Sequence, residues 1–545
     1  MKFLKLKIIS LITLSAFIFG SFSMSSCTDD FEEINTNPNS PEVVPTNLIF
    51  NGATRYLMNY TRDGWWSARM SLPWMQYTAQ HIYVNEDLYQ YRENQTTNGW
   101  FYLYKTANDL KTIIDMCENP DLSSQMSNYG DLDNQIAISR IMLAYIFDNL
   151  LTHFGDVPYW SYGSDDPDFQ ALDIETYLQP KFANQSKVYP DILKELKEAS
   201  LQINVSAPGY ISGDNIYDGD MLKWRKFANS LILRIGNRIK GVYPDANGAM
   251  AEAISRGVFE SNSDNAVQAF NTTSVEASPF WKTFMVDNRQ DFAIASTFVD
   301  LLKGDTGNFG LDPRLPIMSS PKGYTARQVE AKEYTEPSYS DIINDPTILN
   351  NYVGMPYGMS VSRANEGDNP KLTESSWPSF HVIKPDFGEV LMEYAEVEFI
   401  LSEINGWDPG HYQNGIRASM EKWGVNSADI SAYLTSVPSA NEENVITQKY
   451  IALYMQGDEA WAEYRRTGYP NTSILLLPGD SYTDLNGETY IFTPMISGNV
   501  VADDIPNRVR YPQTVQTLNI VNYQEAISGL SNGDEINSKL WWDVN

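Results

Sequence analysis

The chain contains little histidine, little cysteine and comparatively few basic residues. It has 4 His and 2 Cys in 545 residues, and 39 Lys and Arg against 69 Asp and Glu, for a net charge of −30. His81, His153, His381 and His411 are too dispersed for a His-Glu-x-x-His zinc motif. Because a strongly negative surface repels nucleic acid and anionic lipid headgroups, this composition excludes a nucleic-acid reader.

Motifs of the common enzyme classes are also missing. The sequence has no Gly-x-Ser-x-Gly elbow, no Walker loop and no Gly-x-Gly-x-x-Gly turn. A glycosidase needs two carboxylates in a cleft, but with 69 acidic residues some pair always fits, so their abundance is uninformative. Glu389, Glu393 and Glu396 are expected on the solvated face of a helix. Residues 214–220 lack EF-hand spacing and a distal Glu and are expected to form a turn before a helix; a structural calcium ion is the alternative. No cofactor is expected.

Residues 1–26 have the features of a secretory signal peptide. Lys2, Lys5 and Lys7 form a positively charged n-region, and the apolar run over residues 8–19 is too short for an ordinary membrane span. Small residues then precede Cys27, as in a bacterial lipobox. We therefore expect cleavage before Cys27 and lipidation there, with palmitate as an acyl chain. An ordinary signal peptide with an incidental cysteine is the alternative.

Residues 27–45 are acidic and rich in Asn and Pro, which predicts an extended stalk. An acidic stretch directly after a lipidated cysteine resembles the surface-export signal of Bacteroidetes lipoproteins. The alternative is a solvated linker that carries no export signal. No later stretch is apolar enough to cross a bilayer. The expected protein is a body outside the cytoplasm on a lipid tether. Cys117 is expected to be a small buried apolar residue.

Hydrophobic periodicity predicts a mainly α-helical domain over residues 46–545. The helical core is expected at about 46–257 and 386–470, a loop-rich insertion at about 258–385 that packs back on the core, and a loop-like tail at about 471–545. The closing Trp541-Trp542 pair is expected to dock. The helix lengths are TPR-like, although no clean repeat of about 34 residues appears. The predicted helices are Trp100–Met116, Gln135–Leu151, Tyr189–Leu201, Met221–Ile239, Ala249–Arg256, Phe387–Ile404, Tyr412–Trp423 and Glu442–Tyr464.

Aromatic residues give the strongest indication of function. A cluster rich in Trp and Tyr lies within about thirty residues: Trp65, Trp66, Trp74, Tyr77, Tyr83, Tyr89 and Tyr91. Sugar rings stack their C–H faces on Trp and Tyr, while nearby polar side chains bind the hydroxyls. Trp281 and Trp377, in the loop-rich segment, are expected to supply the opposite wall. For any one of these residues, the alternative is a place in the hydrophobic core.

Glu398 is an unusual carboxylate, because helical spacing places it on the apolar side of its predicted helix. A buried carboxylate needs a charged or hydrogen-bonding partner. We expect an ion pair in the core with Arg465 or Arg466; a contact with ligand is the alternative.

Several segments together resemble the SusD/RagB family of outer-membrane nutrient-binding lipoproteins, and in particular its SusD-like subgroup. Besides the lipobox and stalk, they are His153–Tyr159 (HFGDVPY), Tyr394–Val397 with Ser402-Glu403, Lys449–Pro470 (KYIALYMQGDEAWAEYRRTGYP), Arg508–Pro512 (RVRYP) and Lys539–Asp543 (KLWWD). The run over Lys449–Pro470 is the most specific. The resemblance extends over essentially the whole chain after the signal peptide and is weakest at 258–385.

The resemblance implies a core of about four TPR-like helix pairs with an irregular ligand-binding part packed on it. It also implies a protein that is not an enzyme and that hands glycans to a SusC-like TonB-dependent transporter; some members bind peptides instead. Ligand-binding residues vary across the family, so none is assigned here. Trp461 and Tyr464 are expected to serve packing.

Three hypotheses follow: a glycan-binding lid, a peptide-binding lid and a lipid-anchored glycoside hydrolase. The hydrolase requires two carboxylates roughly 5–10 Å apart in the aromatic cleft. A peptide site is expected to show charges and exposed backbone edges rather than an aromatic floor.

Overall fold

The structure, a computed structural model, describes residues 43–90, 92–366, 371–483, 487–497 and 500–544. Residues Thr46–Asn545 form one compact unit, and of Met1–Pro45 only the last three residues are described. The predicted signal peptide, the lipidation site Cys27 and most of the predicted stalk therefore lie outside the described residues. Within them, no helix is long and apolar enough to cross a membrane.

Helices dominate the described part of the chain. Those of eight or more residues are α1 (Thr46–Thr61), α2 (Glu93–Glu118), α3 (Leu132–Phe154), α4 (Gln185–Gln202), α5 (Met221–Ile239), α6 (Ala246–Arg256), α7 (Ser296–Lys303), α8 (Tyr394–Ile404), α9 (Pro409–Lys422), α10 (Ser427–Leu434), α11 (Glu442–Ala452), α12 (Gly457–Thr467) and α13 (Ile520–Ser528). Shorter helical segments are Ser67–Ser71, Leu72–Trp74, Ser123–Met126, Ser127–Tyr129, Asn262–Asp264, Pro279–Met285, Leu315–Met318, Ala326–Glu330, Tyr339–Asn344, Pro346–Asn351, Val361–Glu366, Leu372–Glu374 and Gln513–Leu518.

Consecutive helices pack in pairs, α1 with α2, α3 with α4, α5 with α6, and α8 with α9. Contacts of α2 with α3, α4 with α5 and α5 with α8 join the pairs into one stack. Helix α3 is apolar on nearly every side and almost wholly buried, because it lies between α2, α4 and α5. The predicted mainly α-helical fold with about four TPR-like pairs is confirmed.

The strands are short and form two-stranded antiparallel ladders. They are β1 (Thr78–Gln80), β2 (Ala266–Gln268), β3 (Phe292–Ile294), β4 (Glu389–Met392), β5 (Ser481–Thr483), β6 (Thr489–Ile491), β7 (Met495–Ser497) and β8 (Val500–Val501). Two ladders, β1 with β3 and β2 with β4, tie the segment at 258–385 to chain on either side of it. That segment contains irregular loops with short helices and strands, as the sequence suggests.

Two helix predictions are wrong in extent. The predicted helix at 387–404 divides into β4 and α8. Strand β4 pairs with β2, and Glu393, the residue between β4 and α8, is extended (φ −129°, ψ 158°). Pairing with a distant strand overrides the local helical pattern. The predicted helix at 442–464 divides into α11 and α12, since Met455 takes a left-handed conformation with φ 72°.

The glutamates of this region are buried, which corrects the prediction of a solvated face. Glu396 accepts a hydrogen bond from Arg234 Nε at 2.7 Å, Lys422 Nζ lies 2.5 Å from Glu393 Oε2, and Glu389 accepts from Ser278 Oγ at 3.2 Å. Distant parts of the chain supply each partner, so the local sequence does not reveal the burial.

Glu398 has a partner other than those expected. It accepts a hydrogen bond from Tyr394 Oη at 2.7 Å and lies 2.7 Å from His411 Nδ1. Arg466 instead pairs with Glu403, and Arg465 donates to the Thr152 carbonyl at 2.7 Å. The predicted arginine partner is therefore wrong, because α9 places His411 beside Glu398 and both arginines bind elsewhere.

Several core predictions are confirmed. Cys117 is buried, and burial raises the pKa of its thiol to about 12. Trp542 is buried beneath the guanidinium of Arg465, whose Cζ lies 5.0 Å from the ring, so the chain end docks. Trp461 and Tyr464 are packing residues, and the Tyr464 hydroxyl donates to Asp504 at 2.6 Å.

The raised pKa of Glu389 leads to a prediction about how stability depends on pH. Burial raises the pKa of this carboxyl to about 8, although Arg62 and the Ser278 hydroxyl oppose the shift. Between about pH 4.5 and 8 the folded chain keeps a proton that the unfolded chain loses, so stability falls by about 1.4 kcal/mol per pH unit as pH rises. Glu389→Gln stays neutral, so we expect its melting temperature to exceed that of the wild type near pH 8 and the gap to close toward pH 5.

Glu403→Gln is the contrasting variant. Burial favours the neutral form of Glu403, but Arg466 outweighs burial and lowers the pKa to about 2. Such a carboxylate stabilises the fold above its unfolded pKa, and that contribution is lost as pH falls through about 2. Glu403→Gln should therefore melt lower at neutral pH. Identical melting curves for Glu389→Gln and the wild type at every pH would contradict the assignment.

Candidate functional site

A cavity of about 470 Å³ lies where the chain leaves α1, passes the start of α2 and meets the helix Pro279–Met285. Its lining combines aromatic rings with amide and charged groups. The lining residues are Asn59, Tyr60, Asp63, Gly64, Trp65, Trp66, Gln95, Asn98, Gly99, Tyr102, Pro279, Lys282, Thr283 and Asp287. A pocket of this size, with an aromatic wall and a few convergent polar groups, is typical of a small-molecule site.

Asp63 organises the turn that presents the two adjacent indoles. Its Oδ1 accepts hydrogen bonds from the backbone N–H of Trp65 at 2.9 Å and of Trp66 at 2.8 Å. Burial raises the pKa of Asp63 to about 6 against the effect of these two donors. The carboxyl is therefore an anchor for the turn, one side of which lines the cavity.

Two glycines allow the walls of the cavity to approach closely. A Cβ built on Gly64 would lie 2.6 Å from Thr283 Cγ2, and one on Gly99 would lie 1.9 Å from Trp66 Cζ3. No other residue type fits at these two positions without movement of a neighbour. The Trp66 ring thus packs closely against the backbone of α2 at Gly99.

A tyrosine wall, missed by sequence reasoning, completes the aromatic lining. The Tyr60 and Tyr102 rings are stacked with centroids 4.0 Å apart, and Tyr56 packs on Tyr60 at 4.6 Å. The Lys105 ammonium lies 4.5 Å from the Tyr56 ring centroid. The available signal was the spacing of Tyr56 and Tyr60, which places both on one face of α1.

The predicted aromatic residues divide between surface and core. Trp65 is half-buried and lines the cavity, whereas Trp66 lines it with a ring that is only 3% exposed. Tyr83 is 54% exposed, and the Arg69 guanidinium lies 5.9 Å from its ring. Trp281 is half-buried outside the cavity lining and donates from Nε1 to Glu330 Oε1 at 3.1 Å. Tyr91 lies outside the described residues.

Four predicted ligand contacts lie in the hydrophobic core: Trp74, Tyr77, Tyr89 and Trp377. Trp74 packs edge-to-face on Trp461 at 4.9 Å, and Tyr77 stacks on Tyr450 at 4.6 Å. Trp377 donates from Nε1 to the Tyr324 carbonyl at 2.9 Å. A ring enclosed in this way offers no face to a ligand. Trp281 and Trp377 were expected to supply the opposite wall; the helix that contains Trp281, Pro279–Met285, forms it through Pro279, Lys282 and Thr283.

The segment at 214–220 is the turn that the sequence predicts. Asp214 accepts hydrogen bonds from the backbone N–H of Ile216 and Gly219 and from Trp224 Nε1, at 2.9, 3.0 and 2.8 Å. The Asp220 side chain then caps the start of α5. In the described part of the chain, no group of three or more His, Cys, Asp or Glu residues is arranged to hold a metal ion.

Comparison with known proteins gives this architecture a family. The sequence model of a SusD-like family, described as starch-binding and associating with outer membrane, matches residues 38–491. The chain belongs to the SusD-like family. None of the curated proteins matches it.

Several solved structures share the fold, two of them named as SusD homologues. A chitin-binding protein is 24% identical with a TM-score of 0.67, over 91% of this chain and 100% of its own. A SusD homologue from Bacteroides uniformis is 23% identical with a TM-score of 0.67, over 91% and 99%. A chitin-binding SusD homologue from Flavobacterium johnsoniae is 21% identical with a TM-score of 0.65, over 91% and 99%. These similarities establish the fold of this SusD-like chain.

The contact between Gly99 and Trp66 generates a prediction about the cavity. Alanine favours a helix over glycine by about 1 kcal/mol, but at position 99 its Cβ would overlap the Trp66 ring. We expect Gly99→Ala to lower the melting temperature and to change the tryptophan fluorescence. Gly52→Ala, on α1, is the matched control because its added Cβ meets nothing within 4 Å. Equal stability of the two variants would contradict the packing described here.

Proposed function

We propose that this SusD-like protein is a non-catalytic glycan-binding lipoprotein of the outer membrane that faces the cell exterior. In this proposal it captures an oligosaccharide in the cavity and delivers it to a SusC-like TonB-dependent transporter. The observation that carries the proposal is the pairing, in one cavity, of an aromatic wall with amide and ammonium groups. The aromatic rings are those of Tyr60, Tyr102 and Trp65. Asn98 supplies an amide group and Lys282 the ammonium group.

This chemistry suits a sugar. A pyranose ring has apolar C–H faces, which stack on Tyr and Trp, and a rim of hydroxyls, which need both donors and acceptors. Amide side chains supply both, and Asn59, Gln95 and Asn98 all line the cavity. The volume of about 470 Å³ lies within the range of pockets that enclose a small ligand. The names of two structural relatives as chitin-binding proteins support a carbohydrate ligand.

A hydrolytic role is less well supported. Asp63 and Asp287 both line the cavity, so two carboxylates are present there. However, Asp63 Oδ1 is already engaged by two backbone N–H groups, which gives this carboxyl a structural task. A peptide ligand is also disfavoured, because the lining comes from helices and turns and contains no strand edge for an added strand.

The binding proposal predicts that affinity depends on the half-buried rings of the cavity wall. We expect Trp65→Ala and Tyr102→Ala each to weaken glycan binding by about tenfold to a hundredfold, since each removes a large apolar contact worth about 1–3 kcal/mol. Calorimetry against a panel of oligosaccharides, including chitin and starch fragments, measures the change. Tyr177→Ala is the control, because Tyr177 is an exposed tyrosine outside the cavity lining.

Chromatography of the same mixtures tests for catalysis. Intact oligosaccharides are expected after prolonged incubation, whereas cleavage that disappears in Asp63→Asn would favour a hydrolase. Tight binding of peptides with no glycan binding would replace the proposed ligand class.

The membrane anchor is a separate prediction. Because Cys27 follows a lipobox-like sequence, Cys27→Ala should move the protein from the membrane fraction into the soluble fraction and abolish labelling by a fatty-acid analogue. Cys117→Ala is the control, as that thiol is buried. Membrane retention of Cys27→Ala, or absence of label in the wild type, would refute lipidation.

A further inference from the structure

Three arginines surround the indole of Trp65. The guanidinium carbons of Arg289, Arg69 and Arg92 lie 4.6, 4.8 and 5.5 Å from its ring centroid, all within cation–π distance. Trp65 also lines the cavity. The three arginines are not themselves lining residues, and they adjoin the cavity through the Trp65 ring that they contact.

Arg69 forms the buried base of this arginine cluster. Its side chain pairs with Asp291, and its Nε and Nη1 atoms are buried without a hydrogen-bond partner among the described residues. Glu86 and Asp87 lie nearby, and burial raises the pKa of Asp87 well above its usual range. Among the described residues, Asp291 pairs with Arg69 and Glu86 with Arg92, so Arg289 has no carboxylate at hydrogen-bond distance.

Arg289 and Arg92 form the accessible edge of the cluster. Their side chains are 32% and 44% exposed. The Asp291 oxygen is 3.9 Å from Arg289 Nη2, which is beyond hydrogen-bond distance, and Glu86 Oε1 lies 3.2 Å from Arg92 Nε. A guanidinium group has five N–H donors. Both arginines therefore retain donors for a ligand at the edge of Trp65.

The arginines around Trp65 favour an acidic sugar over a neutral one. A neutral sugar that stacks its C–H face on Trp65 offers no charged partner to the three guanidinium groups around this ring. A sugar carboxylate instead accepts paired hydrogen bonds from arginine, which are stronger and more directional than bonds between neutral groups. The Tyr60 and Tyr102 wall remains available for the sugar ring.

We propose that the cavity binds an acidic oligosaccharide, one that contains uronic acid, and that Arg289 and Arg92 bind its carboxylate beside Trp65. This inference rests on the proposed glycan-binding function and names the class of glycan. Arg69 acts as a positioning residue, because its guanidinium lies against the Trp65 ring and pairs with Asp291.

Calorimetry of the full chain tests the inference with paired ligands. Uronic-acid oligomers, such as oligogalacturonate and oligoalginate, are each compared with the methyl ester of the same length. We expect the acidic form of at least one pair to bind about tenfold to a hundredfold more tightly than its ester, since bonds to a charged partner are lost on esterification. Its affinity should also fall as salt is added.

Variants locate the contact. Arg289→Gln and Arg92→Gln should weaken binding of the acidic form by about tenfold and leave the ester unchanged, whereas Arg289→Lys should retain part of the affinity. Arg417→Gln, an exposed arginine that lines a different groove, is the charge-matched control and should bind as the wild type does.

The outcomes separate this inference from the function on which it rests. Equal affinity for acid and ester, or binding of neutral glycans that Arg289→Gln leaves unchanged, would overturn the inference and leave glycan binding intact. Failure of every glycan, acidic or neutral, would overturn both. Tighter binding of acidic peptides than of any uronic-acid oligomer would also overturn it.

Discussion

A buried network of ion pairs around α5 holds together helices that are far apart in the sequence. Arg238 donates to Asp148 of α3 at 2.6 Å and to Glu459 of α12 at 2.6 Å, while Arg234 pairs with Glu396 of α8. Charges removed from water are tolerated only with partners, and removal of one partner leaves an uncompensated charge in the core. The arginines of α5 therefore fix the register of three other helices, because a helix that slips leaves its charge unpaired.

The same network reaches the candidate site. Arg62, just after α1, donates to Asp458 Oδ2 at 2.8 Å, and Asp458 Oδ1 lies 3.3 Å from His153 Nε2. The next residue is Asp63, which begins the turn that carries Trp65 and Trp66. Burial opposes ionisation of Asp458, but His153 and Arg62 outweigh burial and lower its pKa to about 2. The buried charges thus determine where the α1 turn stands, and this turn forms one side of the cavity.

The opposite side of the cavity belongs to the loop-rich segment. The helix Pro279–Met285 contributes Lys282 and Thr283, and the β1–β3 ladder fixes the chain just after it. The helical stack and the irregular segment, which the β1–β3 ladder holds in place, have different roles. The stack provides stability, whereas the loops can vary in ligand chemistry without disturbing the core. Arg289 lies between that helix and β3, so this segment supplies one of the three arginines around Trp65.

The sequence by itself determined the helical class, the approximate helix boundaries, the family resemblance and the part of the chain that contains Trp65 and Trp66. These features are recorded locally, in the period of apolar residues and in contiguous motifs. Tertiary structure alone decided that Trp74, Tyr77 and Trp377 are core residues, that Glu389 and Glu396 are buried, and that Tyr60 meets Tyr102. An aromatic ring packs equally well in a hydrophobic core and against a sugar ring, and a carboxylate is stable in the interior once an arginine faces it. Which of these occurs depends on partners from other elements, between 42 residues away for Tyr60 and Tyr102 and 387 for Trp74 and Trp461, and no local pattern contains them.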